Sequence, residues 1–143
     1  MRRLAFVVVA GLALAACGSS SHPSTTGDAA AKAQIKSAYE TFFSGQSSVS
    51  DRAAVLQNGS RFKPVIQAFA SNPLAKNVAV TVSSVTLQGA DEAKVVYTVK
   101  LGSAGLPKQN GTAVRQNGRW KVGYASLCRL VALQGSTPSA CKS

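Results

Sequence analysis

The sequence predicts an α+β fold in which N-terminal helices, one of them long, pack on a curved four-stranded antiparallel sheet. Two observations lead to this prediction. Apolar residues recur with the 3.6-residue period of a helix up to about residue 73, and with the two-residue period of a strand from residue 78. The two patterns also follow one another instead of alternating, and helices followed by strands are typical of α+β folds.

The first 16 residues have the composition of an export signal. Arg2 and Arg3 precede an apolar run over residues 4–13, and residues 14–17 read Leu-Ala-Ala-Cys. A helix rises 1.5 Å per residue, so this run is too short for a hydrocarbon core of ~30 Å. The pattern therefore favours a cleaved signal peptide over a permanent membrane span.

The run Leu-Ala-Ala-Cys matches the bacterial lipobox, in which the cysteine thiol receives a diacylglycerol and the chain is cut before it. The alternative is an ordinary signal peptide with an incidental cysteine. In the lipobox interpretation Cys17 carries acyl chains such as palmitate, and two or more chains hold a protein durably on a membrane. We then expect a signal peptide over residues 1–16, a flexible Ser/Thr-rich tether over 17–27 and a single folded domain over 28–143. The protein would be exported and anchored on the outer face of the cell membrane, in the cell envelope.

The charge of the chain is strongly basic, with 16 Lys and Arg against 5 Asp and Glu and a formal net charge of +11. A basic exported protein is attracted to anionic lipids and acidic wall polymers. Nucleic acid is the rival partner for such a charge, and the export signal excludes it.

Two cysteines remain besides Cys17, namely Cys128 and Cys141. An even number outside the reducing cytoplasm predicts one disulfide between them. Two free thiols or metal ligands are the weaker alternative, because His22 is the only histidine and it lies in the tether. The sequence therefore predicts neither a metal site nor a cofactor.

The helical half divides into three predicted helices. The first starts at Asp28 as its N-cap and runs to about Ser44, with Gly45 in the left-handed conformation beyond it. A second is predicted from Ser50 to residue 57, and a third from Ser60 to residues 72–73. The apolar stripe of the first helix consists of Ile35, Ala38, Tyr39, Phe42 and Phe43.

The second half contains four predicted strands and a short terminal helix. The first strand changes phase near Ser83-Ser84, which indicates a β-bulge. The others are expected over residues 93–101, 112–116 and 119–125, and the helix over 127–131.

The turn Asn117-Gly118 allows two hairpin registers. A two-residue type I′ loop pairs Arg115 with Trp120, whereas a G1 bulge pairs Val114 with Trp120. The bulge keeps apolar residues together on one face, and burial therefore favours it.

These elements resemble a known family. The arrangement is similar to the cystatin-like fold of the nuclear-transport-factor-two superfamily, and more closely to the low-molecular-weight antigen lipoproteins of mycobacteria and related actinobacteria. The residues that carry the resemblance are Ala38-Tyr39, Phe42-Phe43, the run 68–73 (Ala-Phe-Ala-Ser-Asn-Pro), the run 118–122 (Gly-Arg-Trp-Lys-Val), Cys128 and Cys141. The resemblance implies a surface-anchored protein seen by host immunity, with no assigned enzymatic role.

Enzymes of the wider superfamily use Asp, Glu or His inside the pocket between helix and sheet. In this sequence all five acidic residues are interpreted as helix caps, solvated charges or turn residues. A serine nucleophile would need a histidine as its base, and none is expected in the pocket. We therefore expect no catalytic residues.

Two non-catalytic functions remain. The first is a binding module, in which aromatic residues line a pocket for an apolar envelope ligand; these same side chains are the ones expected to fill a core. The set consists of Tyr39, Phe43, Phe62, Phe69, Tyr97, Trp120 and Tyr124. The pocket is expected at the N-terminal end of the first helix, where the stripe residues are smaller.

The second is an interaction protein that contacts anionic envelope components through a basic sheet face, or simply has a solvated face there. Its residues are Lys94, Lys100, Arg115, Arg119 and Lys121. The oligomeric state is not predicted.

Overall fold

The computed structural model describes residues 25–133 and 135–142 of the chain. The predicted signal peptide, Cys17 and the tether up to residue 24 lie outside the described residues. Within them, none of the helices combines the length and apolarity needed to cross a membrane.

Four α-helices and five strands make up the described domain. The helices are α1 (Thr25–Phe43), α2 (Val49–Ala54), α3 (Lys63–Ala70) and α4 (Tyr124–Leu133). The strands are β1 (Val78–Leu87), β2 (Glu92–Leu101), β3 (Ala104–Gly105), β4 (Gln109–Gln116) and β5 (Arg119–Val122). Short 3₁₀ turns lie at Gly59–Phe62, Pro73–Asn77 and Ser139–Cys141.

The sheet is antiparallel, in the order β1-β2-β4-β5, with the two-residue β3 paired to the end of β2. Its inner face packs on α1, and the α+β prediction with four main strands is confirmed. Every residue of the predicted α1 stripe is buried against it. The predicted bulge in β1 is also confirmed, because the register with β2 shifts between Val82 and Ser84.

The helix boundaries differ from the predicted ones. The first helix begins three residues before Asp28, so residues 25–27 of the predicted tether are helical. Ser48, and not Ser50, caps α2: its hydroxyl accepts from the Asp51 N–H while the Asp51 carboxylate accepts from the Ser48 N–H. Gly45 does not adopt a positive φ; it is needed because a Cβ there would collide with the main chain of Lys76.

The β4–β5 hairpin has the register that was not favoured from the sequence. Arg115 pairs with Trp120, and Asn117 and Gly118 both have positive φ, as a type I′ turn requires. The predicted pairing of Val114 with Trp120 is therefore wrong. The inner face of β4 carries the small residues Gly111 and Ala113, since a Cβ on Gly111 would collide with the Tyr39 hydroxyl.

The ends of the last two strands also differ. The third main strand starts at Gln109, three residues earlier than predicted, and the last ends at Val122. Tyr124 is thus the first residue of α4 and not an inward residue of a strand. Main-chain bonds from Val122 to Val55 and from Gln57 to Val122 cover the outer edge of β5.

Candidate functional site

An apolar cavity lies between the C-terminal end of α1 and the end of β2. Its volume is about 350 Å³, within the range of ~300–1,000 Å³ that is usual for small-molecule sites. Every lining side chain is apolar. The lining comes from α1, α3, β1, β2, the loop after β3 and α4, and consists of Phe43, Phe69, Val78, Val99, Leu101, Leu106 and Leu130.

The sheet supplies one wall of this cavity. Val99 and Leu101 alternate with Lys100 on β2, so both point to the inner face, and Val78 is the register partner of Leu101. After β3 the chain runs back along the end of β2, where the Leu106 N–H donates to the Val99 carbonyl oxygen at 2.8 Å. This bond places Leu106 against the cavity although it lies outside the main strands.

The position of this cavity corrects one expectation. The sequence predicted an unfilled space at the N-terminal end of the first helix, beside Ile35 and Ala38. Both residues are buried in the core there, and the apolar cavity borders Phe43 at the opposite end.

The seven aromatic residues proposed as a pocket divide into two groups. Phe43 and Phe69 line the apolar cavity. The others lie elsewhere: Tyr39, Phe62, Tyr97 and Trp120 are buried in the core, and Tyr124 is half-buried with its ring stacked on Phe62 at a centroid distance of 5.6 Å.

Tyr39 and Tyr97 are core residues that carry a hydroxyl. The Tyr39 hydroxyl donates to the Thr112 carbonyl oxygen at 2.7 Å and lies 3.2 Å from the Ser126 hydroxyl. Burial raises the pKa of Tyr39 above its ordinary value, and burial raises the pKa of Tyr97 to about 12, although the nearby charge of Arg129 opposes the increase. Both phenols therefore stay neutral at physiological pH, and Tyr39 is a structural crosslink between α1, β4 and α4.

Arg52 is a buried charge that no pattern in the sequence predicts. It is 2% exposed, and its Nη2 donates to the Ser44 carbonyl oxygen at 2.8 Å, just beyond the end of α1. Its guanidinium carbon lies 5.5 Å from the centroid of the Phe69 ring, whereas Nε and Nη1 have no hydrogen-bond partner. Burial lowers the pKa of Arg52. A cation here is favoured by the helix C-terminus and the ring face. Among the described residues, no carboxylate forms an ion pair with it.

Four of the five predicted basic-face residues share the outer face of the sheet. The register places Lys94, Lys100, Arg119 and Lys121 on that face. Arg115 lies at a position of the opposite face, because it pairs with the buried Trp120. The structure therefore separates it from the other four. All are exposed except Lys121, which is half-buried.

The predicted disulfide between Cys128 and Cys141 is confirmed, with a Cα–Cα distance of 5.6 Å. It joins α4 to the 3₁₀ turn near the C-terminus. Among residues 25–133 and 135–142, no group of three or more His, Cys, Asp or Glu is placed to hold a metal ion. The predicted lipidation of Cys17 concerns a residue outside this part of the chain.

Comparison with known proteins gives a family match and similarity to solved structures. Residues 28–138 match the model of the family described as low molecular weight antigen MTB12, C-terminal domain. A protein from Campylobacter jejuni, described as an NTF2-like transpeptidase, is 14% identical over 70% of this chain and 98% of its own, with a TM-score of 0.42. A score of this size supports no conclusion about activity. None of the curated proteins matches the chain.

Proposed function

The chain belongs to the family of the low molecular weight antigen MTB12, C-terminal domain, and from this premise we propose that it is an exported, lipid-anchored envelope protein whose domain binds an apolar ligand without catalysis. The observation that carries the binding function is the apolar cavity beside Phe43. The lipobox ending at Cys17 and the apolar run before it support the export and the anchor.

The cavity is suited to a hydrocarbon chain rather than to a polar metabolite. All seven lining side chains are apolar, so a polar ligand would lose its hydrogen bonds to water without gaining others. A hydrocarbon ligand would instead bury its own apolar surface and that of the wall, at ~25 cal/mol per Å². The cell membrane on which the protein is expected to lie is a source of such molecules.

The same lining supports a binding function over an enzymatic one. General acid–base chemistry needs a titratable side chain within hydrogen-bond distance of the reacting group. The side chains around the cavity supply none. The two buried tyrosines do not supply one either, because their pKa values are raised and the Tyr39 hydroxyl already donates a hydrogen bond to the Thr112 carbonyl oxygen.

The anchor is tested by fractionation of cells that express Cys17→Ala. We expect the variant to leave the membrane fraction, whereas Ser19→Ala, a substitution two residues away, should remain there. Recovery of Cys17→Ala in the membrane to the same extent as the natural chain would refute the lipid anchor.

The ligand is tested on the Cys17→Ala protein, which can be purified without detergent. We expect cis-parinaric acid, a fluorescent fatty acid, to bind saturably, and Leu106→Trp to weaken it by about tenfold or more because the indole fills the cavity. Leu87→Trp is the matched control: it is also a half-buried leucine packed on the core, at the other end of the sheet. Equal binding by both variants would exclude the cavity as the site.

A second candidate function is attachment to anionic envelope surfaces through the outer sheet face. It is favoured because three of its basic residues, Lys94, Lys100 and Arg119, are exposed. None of the three forms an ion pair within the described part of the chain, where the ion pair is Lys36–Glu40.

Charge reversal tests this surface. The triple variant Lys94→Glu, Lys100→Glu, Lys121→Glu should bind vesicles of anionic lipid more weakly, and added salt should reduce the difference. Reversal of Lys32, Lys63 and Lys76, which are exposed away from this face, changes the net charge equally. Equal losses in the two triple variants would assign the effect to net charge alone.

A further inference from the structure

A second cleft lies where β2 and β4 meet the start of α4. Its volume is about 350 Å³. Two cationic side chains line it, Lys94 from β2 and Arg129 from α4, and no carboxylate does. The rest of the lining consists of Val95, Asn110, Gly111, Thr112, Ala125 and Ser126.

Both cations are attached to elements whose positions are fixed. Lys94 lies in the middle of the sheet, paired with Thr86 on one side and Thr112 on the other. Arg129 donates from Nη1 to the Asn110 carbonyl oxygen at 2.9 Å. The disulfide at the preceding residue, Cys128, further restrains α4. The two charges therefore reach the same cleft from rigid supports, which is the requirement for a preorganised site.

The charges at this cleft are not neutralised by the protein itself. Within residues 25–133 and 135–142, neither Lys94 nor Arg129 forms an ion pair. The nearest acid along the strand is Glu92, which lines an adjoining cleft together with Lys94 and Thr112. Two cations at one cavity repel each other, and an anion bound between them offsets this repulsion. The cleft therefore favours an anionic ligand.

The remaining lining defines the rest of the ligand. Ser126 is already occupied, since its hydroxyl accepts from the Thr112 N–H and lies beside the Tyr39 hydroxyl. The exposed Thr112 side chain stands next to Lys94 on the outer face. Val95, Gly111 and Ala125 offer an apolar floor.

We propose that this cleft binds a phosphate ester, with Arg129 and Lys94 contacting the phosphate oxygens and the apolar floor contacting the organic part. Arginine pairs two oxygens of a phosphate through its planar fork, while lysine supplies a point charge to a third. The site is independent of the apolar cavity, because the residues of the two linings do not overlap.

The proposal is tested by titration of the full-length Cys17→Ala chain with glycerol phosphate, followed by calorimetry and by NMR shifts of the Thr112 and Asn110 amides. We expect saturable binding that Arg129→Gln weakens by about tenfold or more, since the charge-assisted pair is lost. Arg61→Gln is the control, an exposed arginine on the 3₁₀ turn Gly59–Phe62, outside this cleft and outside the basic sheet face. Thermal midpoints of both variants show that they are folded.

A parallel arm with phosphatidylglycerol vesicles identifies the source of the phosphate. Binding to glycerol phosphate that depends on Arg129 supports a soluble ester, and binding only to vesicles with the same dependence supports a lipid head group. Absence of saturable binding in both arms would overturn the proposal. So would equal weakening by Arg129→Gln and Arg61→Gln, because the effect would then come from the general surface charge.

Discussion

The Tyr39 hydroxyl donates a hydrogen bond of 2.7 Å to the Thr112 carbonyl oxygen, 73 residues later in the chain. Thr112 belongs to β4, and its N–H donates to the Ser126 hydroxyl at 3.1 Å. A single phenol thus connects the long helix, the sheet and the terminal helix.

We expect Tyr39→Phe to lower the free energy of unfolding by about 1–2 kcal/mol, because the Thr112 carbonyl oxygen loses a buried partner. Tyr97→Phe is the matched control, since Tyr97 is a second buried core tyrosine and none of the side-chain hydrogen bonds among the described residues involves its hydroxyl. Urea denaturation of both variants measures the difference. Equal losses would mean that the Tyr39 bond contributes nothing beyond the packing of the ring.

Gly111→Ala tests the close contact between the main chain at position 111 and the Tyr39 hydroxyl. A Cβ at this position would collide with the Tyr39 hydroxyl and lie 2.8 Å from the Tyr97 ring, so we expect a loss of about 1–3 kcal/mol. The loss should be smaller in the Tyr39→Phe background, where the hydroxyl is gone. A double-mutant cycle measures this coupling, and strictly additive effects would contradict it.

Asp51 makes the stability of the folded state depend on pH in the acidic range. The Ser48 hydroxyl and N–H donate to its carboxylate and hold the pKa of Asp51 below its usual value. The folded state therefore gains stability above the unfolded pKa of ~3.9 and loses it as the pH falls through the folded value. Asp51→Asn should flatten the decrease of the thermal midpoint below about pH 4. Ser48→Ala should flatten it as well, because it removes the main donor. An unchanged acid slope in both variants would show that the capping box is not formed in solution.

The buried guanidinium of Arg52 predicts a contrast between two substitutions. Arg52→Met retains the volume beside Phe69 and removes the two unpartnered donors, so we expect a change in the free energy of unfolding of less than about 1 kcal/mol, or a gain. Arg52→Ala leaves a cavity and should cost about 2–4 kcal/mol. A large loss in the methionine variant would show that the charge itself stabilises the end of α1.

Loss of the disulfide should lower the free energy of unfolding by about 3 kcal/mol, because the unfolded chain regains the freedom of the loop between Cys128 and Cys141. The double variant Cys128→Ser, Cys141→Ser and the reduced natural chain should show the same decrease in thermal midpoint. A midpoint unaffected by reduction would contradict this prediction.

The elements that the sequence predicted well are those in which one face is apolar over several turns or strand residues. The stripe of α1 and the alternation of β2 are examples, because burial alone selects one orientation for each. The hairpin register was predicted wrongly for the same reason. Burial favoured Val114 over Arg115 as the partner of Trp120. The inner face, however, has no room for a side chain at Gly111, and Ala113 and Arg115 share the parity of that residue.

The candidate sites were less predictable because their residues converge only through tertiary contacts. Phe43 and Phe69 were among the predicted pocket residues, but Leu106 lies in a loop and Leu130 on the terminal helix. Arg129 and Lys94 lie 35 positions apart in the printed sequence. One available signal was the unbalanced charge, which indicated an anionic partner without indicating where it binds.

The span of the Tyr39 hydrogen bonds also constrains the order in which the molecule assembles. The partners of Tyr39 lie 73 and 87 residues downstream, so during synthesis the first helix emerges long before its docking site exists. Contacts of such large sequence separation slow folding. The apolar stripe of α1 packs mainly on β1 and β5. A polypeptide stopped before β5 would therefore leave part of that stripe uncovered, and the nascent chain remains open to a chaperone until about residue 122 has been made.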